Sequence, residues 1–96
     1  MIIVGGTFEV DPSQRERFVA DRHELMRTSR AEQCCFTYAF CADPIEPGRV
    51  LLFERWETQA DLNAHLEGMG ANPPVTGDVA PSSVSVVFYD AEPQGA

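Results

Sequence analysis

The chain has 96 residues, a hydrophobic content of 44% and a formal net charge of −8, which together indicate one small globular domain. This acidic balance argues against nucleic acid as a partner, because binding to phosphates needs basic side chains that release counterions. All 7 cationic residues are arginine, so a mechanism that requires a lysine amine is excluded.

The first predicted element is a strand over residues 2–10, rich in Ile, Val and Phe, in which Gly5 and Gly6 indicate a bulge or a close backbone approach. This apolar start is short and lacks the basic flank of a signal peptide. No apolar run in the chain approaches the roughly 20 residues that a membrane helix needs. We therefore expect a cytoplasmic protein with no membrane partner.

A helix follows the first strand. Asp11 is a favourable N-cap, Pro12 suits the first helical position, and Gln14 stands where a capping box has an amide or an acid. The pattern predicts one helix that continues to about Arg30.

Arg22 is an unusual residue of this helix, because at 100° per residue it falls within the apolar stripe that faces the core. Two explanations fit. Its aliphatic stem packs on the core while the guanidinium reaches the edge of the sheet, or the guanidinium pairs with a carboxylate such as Glu54 or Glu57. The other residues of the stripe are Phe18, Val19, Leu25 and Met26.

The second predicted strand covers residues 34–42 and has two different faces. Period two places aromatic side chains on one face and smaller ones on the other. The aromatic face comprises Phe36, Tyr38 and Phe40, and the other comprises Cys35, Thr37, Ala39 and Cys41.

The cysteines are odd in number and lack the CxxC or His-bearing spacing of a metal site. We therefore predict that Cys34, Cys35 and Cys41 are buried free thiols and that the protein binds no metal. The alternative is a reactive thiol at Cys35 or Cys41, which requires a lowered pKa.

The third predicted strand, residues 49–57, follows a loop of sequence DPIEPG that is typical of a connection between antiparallel strands. Leu52, Glu54 and Trp56 share one face of this strand, and Leu51 and Phe53 lie on the other. Both faces are largely apolar, so both are expected to be covered. An acid in such a place is costly unless it is paired or its pKa is shifted.

A second helix begins after this strand. Thr58 and Asp61 have the spacing of a capping box, the buried stripe is predicted to contain Leu62, Leu66 and Met69, and His65 flanks that stripe. Residues 68–83 are rich in turn formers and are expected to form a lid or to contain a short helical turn. Residues 84–90 make the last strand of a domain spanning residues 1–90, and residues 91–96 form a frayed tail.

The element order predicts an α+β fold of the ferredoxin-like βαββαβ type, with two helices on one face of a four-stranded antiparallel sheet. The other face of the sheet still carries large apolar groups, which a monomer would expose. We therefore expect a two-fold homodimer joined through its sheets, with a pocket between sheet and helices or between the two sheets.

The stretch FERWETQADLNAHL resembles the signature of the antibiotic biosynthesis monooxygenase domain, also called the quinol monooxygenase-like family. The matching residues are Glu54, Trp56, Ala64, His65 and Leu66, preceded by an acid and an aromatic residue at Glu32 and Tyr38. The chain differs from the family pattern in two places. Cys34 replaces a common glycine, and GMGANPPV replaces a segment of the Thr-Pro-His-Phe type.

This resemblance implies a dimeric α+β barrel and oxidation of phenolic polyketides or quinols by dioxygen without flavin, metal or haem. Glu54 would then act as the base, since desolvation raises the pKa of a carboxylate. Trp56 would supply an N–H donor and a stacking face, and Tyr38 a hydroxyl for the developing oxyanion. His65 would share in proton transfer.

Each of these residues also has a structural interpretation. Glu54 pairs with an arginine such as Arg22, Trp56 and Tyr38 fill the core, and His65 is a half-buried helix residue. The alternative functions are a non-catalytic dimeric small-molecule binding protein and a cofactor-free isomerase. Haem degradation is the least favoured function, because neither His23 nor His65 is well placed as an axial ligand.

Overall fold

The computed structural model describes residues 1–95 and confirms the ferredoxin-like fold. The regular elements are β1 (Ile2–Glu9), a 3-10 turn (Pro12–Gln14), α1 (Arg15–Ala20), α2 (His23–Arg30), β2 (Cys35–Ala42), β3 (Arg49–Trp56), α3 (Gln59–Ala71) and β4 (Ser83–Asp90).

The four strands form one antiparallel sheet in the order β2-β3-β1-β4, with β3 and β1 in the centre. Glu54 on β3 stands opposite Val4 on β1 and opposite Tyr38 on β2. The helices pack on the sheet face that carries these residues, and the core lies between the two layers. Its most deeply buried large side chains include Trp56, Phe18, Leu62, Val4 and Val50.

The first helix is interrupted, which differs from the prediction of one continuous helix to Arg30. Asp11 caps the 3-10 turn by accepting a hydrogen bond from the Ser13 N–H at 2.9 Å, but Gln14 makes no capping bond, so the predicted capping box is wrong. At the break, the Arg22 N–H bonds to the Val19 carbonyl. The Arg22 side chain donates instead to the Phe18 carbonyl at 3.0 Å, and such an insertion into the hydrogen-bond ladder breaks a helix.

The second strand contains a bulge that exchanges two side chains between its faces. The register with β3 shifts between Cys35 and Thr37, and a bulge adds one residue to its strand. Cys35 therefore packs against the core, whereas Phe36 is 49% exposed. The prediction that Phe36 shares a face with Tyr38 and Phe40 is wrong for this reason.

The cysteines are not buried as predicted. Cys34 and Cys35 are half-buried and Cys41 is exposed. Burial, followed by the charges of Glu32 and Glu54, raises the pKa of the Cys35 thiol, which contradicts a reactive thiolate there. Hydrogen bonding to Glu57 is the largest cause that raises the pKa of Cys34 to about 11.

The helix α3 begins with the predicted capping box, in which Thr58 and Asp61 bond each other's backbone N–H groups. Its buried stripe differs from the prediction. His65 is 3% exposed and Leu66 is 45% exposed, because the helix turns the His65 ring toward Trp56 and Tyr38. The helix runs to Ala71, and residues 72–82 contain no helical turn.

The sheet face away from the helices remains open in the monomer. Leu51 and Phe53 on β3 are 36% and 43% exposed, although they alternate with fully covered neighbours. Across residues 1–95, none of the helices has both the length and the apolar character needed to cross a bilayer.

Candidate active site

A cavity of about 310 Å³ lies between the sheet and the helical layer and is bordered by residues of the loop after α3. Most of its lining is apolar, from Val4, Phe8, Leu25, Phe40, Leu52, Leu62, Leu66, Met69, Pro74, Val86 and Phe88. Five residues bring polar groups to it, namely Arg22, Tyr38, Glu54, His65 and Thr76. An apolar cavity with a few converging polar groups is the usual form of a small-molecule site.

Glu54 provides the carboxylate of this cavity. It lies on the central strand β3, on the face that the helices cover, and is 6% exposed. Burial raises the pKa of Glu54, and the charge of Glu32 raises it further, while the hydrogen bond from Trp56 and the charge of His65 lower it. Burial is the largest of these effects, so the carboxylate binds a proton more strongly than an exposed glutamate does.

Trp56 supports Glu54 from below the cavity surface. Its indole Nε1–H donates to Glu54 Oε1 at 2.9 Å, and the side chain is fully buried. The Trp56 ring packs on the His65 ring with centroids 4.6 Å apart. Trp56 therefore does not border the open cavity, and its contact with the site passes through Glu54 and His65.

Tyr38 and His65 complete the cluster that the sequence predicted. Tyr38 lies opposite Glu54 on the neighbouring strand, and its ring centroid is 5.3 Å from that of His65. Burial and the charge of Glu54 raise the pKa of the Tyr38 hydroxyl, so this group remains a neutral donor at physiological pH. The structure thus brings Glu54, Tyr38 and His65 to one cavity, with Trp56 directly behind them.

Glu32 is the residue of this cluster for which the sequence indicated no role. It lies in the connection from α2 to β2, and its Oε2 is 2.9 Å from Nδ1 of the buried His65. The Glu32 side chain is 39% exposed, so it links the buried imidazole to solvent. This contact joins residues 33 positions apart, and no local pattern predicts which acid a helix histidine meets.

Arg22 makes no ion pair with Glu54 or Glu57, which contradicts the carboxylate pairing considered from the sequence. Its guanidinium carbon lies 3.4 Å from the centroid of the Phe18 ring and 5.5 Å from that of Phe40. Burial lowers the pKa of Arg22, as expected for a charge that has lost part of its hydration.

Two other features contain possible ligand or catalytic groups. A groove of about 480 Å³ runs beside α2 and the end of α3, and its only titratable residues are Glu24 and Glu32. Cys34, Glu57 and Asp61 place one potential ligand atom each within 4.8 Å of one another. The Asp61 carboxylate already accepts hydrogen bonds from Thr58 as part of the helix cap.

The chain is similar in sequence to a known protein family and to two known proteins. A model of the antibiotic biosynthesis monooxygenase family matches residues 1–69. "Uncharacterized protein sll1783" from Synechocystis sp. is 35% identical over 66 residues, which make up 69% of this chain and 45% of that protein. The match therefore spans less than half of the Synechocystis protein. "Putative monooxygenase YcnE" from Bacillus subtilis is 28% identical over 67 residues, or 70% of each chain.

Solved structures share the fold along almost the whole chain. One from Deinococcus radiodurans, described as a "putative antibiotic biosynthesis monooxygenase", has a TM-score of 0.78 at 19% identity and covers 100% of this chain and 97% of its own. Another, described as an antibiotic biosynthesis monooxygenase, has a TM-score of 0.74 at 25% identity and covers 97% of this chain and 100% of its own.

Proposed function

The chain belongs to the antibiotic biosynthesis monooxygenase family, and from this premise we propose that it oxidises a small phenolic or quinol-type aromatic molecule with dioxygen. The reaction proposed here uses no flavin, metal or haem. The observation that carries the proposal is a carboxylate, Glu54, that is 6% exposed and borders an apolar cavity. Such an acid has the raised pKa that suits a general base for a weakly acidic substrate.

Proton removal is the first step of the proposed reaction. Glu54 takes a proton from the substrate hydroxyl or from an acidified ring carbon, which leaves an electron-rich anion in the cavity. The Trp56 indole holds Glu54 Oε1 through the bond of 2.9 Å, so the other carboxylate oxygen is directed to the substrate. The neutral Tyr38 hydroxyl donates to the developing oxyanion.

Electron transfer to dioxygen follows. The anion passes one electron to dioxygen, and the resulting radical pair combines to form a carbon-bound peroxide. Loss of the remaining C–H proton at that carbon then breaks the O–O bond, which leaves a carbonyl in the product and releases hydroxide that is protonated to water. In the complete reaction the substrate loses four electrons and two hydrogens. One oxygen atom enters the product and the other leaves as water, so no external reductant is consumed. The apolar lining keeps bulk water from the charged intermediates.

His65 and Glu32 would return protons in this scheme. His65 borders the cavity, and its Nδ1 is held by Glu32, whose side chain reaches solvent. A hydrogen bond at one ring nitrogen orients the imidazole and leaves the other nitrogen to act in the cavity. Glu32 is therefore proposed as a positioning residue and His65 as a proton donor to reduced oxygen.

A homodimer forms part of the same proposal. The open sheet face exposes Phe36, Leu51, Phe53, Val87 and Tyr89 to between 36% and 53%, and these residues come from three strands. Monomeric proteins rarely expose a contiguous apolar patch of this kind. A second copy placed on this face by two-fold symmetry would cover it with a matching surface.

Oxygen consumption tests the function. The purified protein, freed of metals by a chelating resin, is mixed with an anthrone or a hydroquinone in an oxygen-electrode cell. We expect oxygen uptake above the autoxidation rate of the substrate and incorporation of one ¹⁸O atom from labelled dioxygen into the product. Uptake equal to that of heat-denatured protein across a panel of phenols and quinols would contradict the proposal.

A cofactor-free isomerase is the second candidate, because Glu54 and His65 give one cavity both a base and an acid. An isomerase needs proton transfer between two substrate atoms and no dioxygen. Exchange of substrate hydrogen with deuterated solvent under nitrogen, without oxygen uptake in air, would favour this candidate over the oxygenase. Saturable binding with neither reaction would favour the non-catalytic binding protein.

A further inference from the structure

We infer that the cavity binds an aromatic ligand that carries an anionic group, such as a carboxylate, and that Arg22 recognises this group. The inference rests on the proposed function, since it names the substrate class of the same cavity. It starts from Arg22, the one arginine among the residues that line the cavity.

The Arg22 guanidinium has hydrogen-bond donors to spare. Its Nη1 donates to the backbone carbonyls of Phe18 at 3.0 Å and Thr76 at 3.4 Å. A guanidinium has five N–H donors, and Nε and Nη2 make no hydrogen bond within residues 1–95. Those two atoms form one edge of the guanidinium fork, which is the geometry that binds a carboxylate through two parallel hydrogen bonds.

Arg22 also lacks an ion-pair partner within residues 1–95, although the protein carries 15 acidic residues. The guanidinium instead stacks on Phe18 and faces Phe40. A half-buried cation without an ion-pair partner has lost hydration that an anion in the cavity would replace.

Arg22 and Glu54 place a cation and an acid at different points of the cavity lining. Phe40, beside Arg22, is two residues along β2 from Tyr38, which stands opposite Glu54. Two residues of a strand span roughly 7 Å, so the side chain that Arg22 faces and the one opposite Glu54 are separated along the sheet. Repulsion from Glu54 would turn the anionic end of the ligand toward Arg22.

The cavity of about 310 Å³ is at the lower limit of ordinary ligand pockets, which start at roughly 300 Å³. This size favours a ligand of one or two rings. The chemical class is therefore a hydroxylated aromatic acid, whose hydroxyl lies at Glu54 and Tyr38 and whose carboxylate lies at Arg22.

Binding of 3,4-dihydroxybenzoate and of its neutral isostere 3,4-dihydroxybenzamide tests this assignment. Titration calorimetry under nitrogen at pH 7 separates binding from turnover. We expect the wild-type protein to bind the benzoate at least about tenfold more tightly than the amide, since a hydrogen-bonded charge pair contributes that much or more. In Arg22→Gln this preference falls to less than about twofold, while the amide affinity is unchanged.

The control variant is Arg27→Gln, which removes an exposed arginine of α2 that pairs with Glu24 and should keep the full preference. Arg22→Lys keeps the charge without the guanidinium fork and should retain part of the preference for the benzoate. If Arg22→Gln does not fold, Arg22→Lys is measured in its place. A wild-type protein that binds both compounds equally, or an Arg22→Gln variant that keeps the preference, would overturn the inference.

The outcomes also separate this inference from the proposed oxygenase function. Arg22-dependent binding of the benzoate without oxygen uptake would support the inference and contradict the oxygenase. Oxygen uptake with a neutral hydroquinone, together with equal affinity for the benzoate and the amide, would support the oxygenase and contradict the role of Arg22.

Discussion

The two faces of β3 carry similar side chains but have different environments. Leu52, Glu54 and Trp56 are between 0% and 7% exposed, whereas Leu51 and Phe53 are 36% and 43% exposed. The first face lies under the helices, and the second has no cover within the chain. An apolar strand face thus indicates that a surface will be covered, but the sequence does not state whether a helix or another molecule covers it.

The covered face of β3 also provides the contacts that a buried acid needs. Glu54 is satisfied by the Trp56 N–H at 2.9 Å and lies beside the His65 ring, whose charge favours the ionised carboxylate. On the open face, Arg55 stays half-buried and lies 5.6 Å from the Phe36 ring. The covered face therefore carries the residues of the proposed reaction, and the open face is the proposed contact with a second copy.

The largest effect is expected from Glu54→Gln on the covered face. Loss of the base should lower the rate of cofactor-free oxygen uptake by about a hundredfold to ten-thousandfold, the usual contribution of a positioned base. The glutamine keeps an acceptor for Trp56, so the fold should be preserved by circular dichroism. The exposed acid Glu57, changed to Gln, is the control. A rate within twofold of wild type for Glu54→Gln would remove Glu54 from the mechanism.

A charge on the open face should disrupt the proposed dimer. Phe53→Glu places a carboxylate in the proposed interface and should weaken association by roughly a hundredfold. Light scattering should then give the monomer mass of 10.6 kDa instead of twice that value. Ile45→Glu adds the same charge at a site that is 81% exposed and should leave the dimer intact. Equal masses for the wild type and Phe53→Glu would argue against an interface on this face.

Two neighbours of Glu54 should shift the pH dependence of the reaction in opposite directions. The Trp56 hydrogen bond lowers the pKa of Glu54, and the Glu32 charge raises it. Trp56→Phe should therefore move the acidic limb of the kcat/KM profile to higher pH and lower the rate about tenfold. Glu32→Gln should move the same limb to lower pH.

If the acidic limbs of both variants moved in the same direction, the assignment of this limb to Glu54 would be contradicted. A profile measured for Glu24→Gln provides the control, because Glu24 is an exposed acid that pairs with Arg27 and does not border the cavity.

The smallest effect concerns stability. Burial raises the pKa of Glu54 in the folded protein, so the wild type loses stability as the pH rises from the pKa of an unfolded glutamate through this raised value. The amide that replaces the carboxyl in Glu54→Gln does not titrate. This variant should thus gain stability relative to the wild type between about pH 4 and about pH 8, by on the order of 1 kcal/mol. Urea unfolding at both pH values measures this, and a constant difference between the proteins would contradict it.

Several local features were predictable because they depend on neighbouring residues. The Thr58 and Asp61 cap and the alternation along β3 follow from short-range geometry. The bulge at Cys35–Thr37 was missed because it depends on pairing with β3. The burial of His65 was also missed, since a small rotation of α3 exchanges His65 with Leu66 on the core side.

The sequence by itself determined the order of the elements and the apolar character of both faces of β3, because these follow from periodicity and capping, and the family resemblance pointed to Glu54, Tyr38 and His65 as residues of one site. Only the tertiary structure decided that Glu32 holds His65 and that Arg22 lacks a carboxylate partner. The physical reason is that such contacts join elements far apart in the chain. Their distances are set by how the helices pack on the sheet, which no local pattern of side chains specifies.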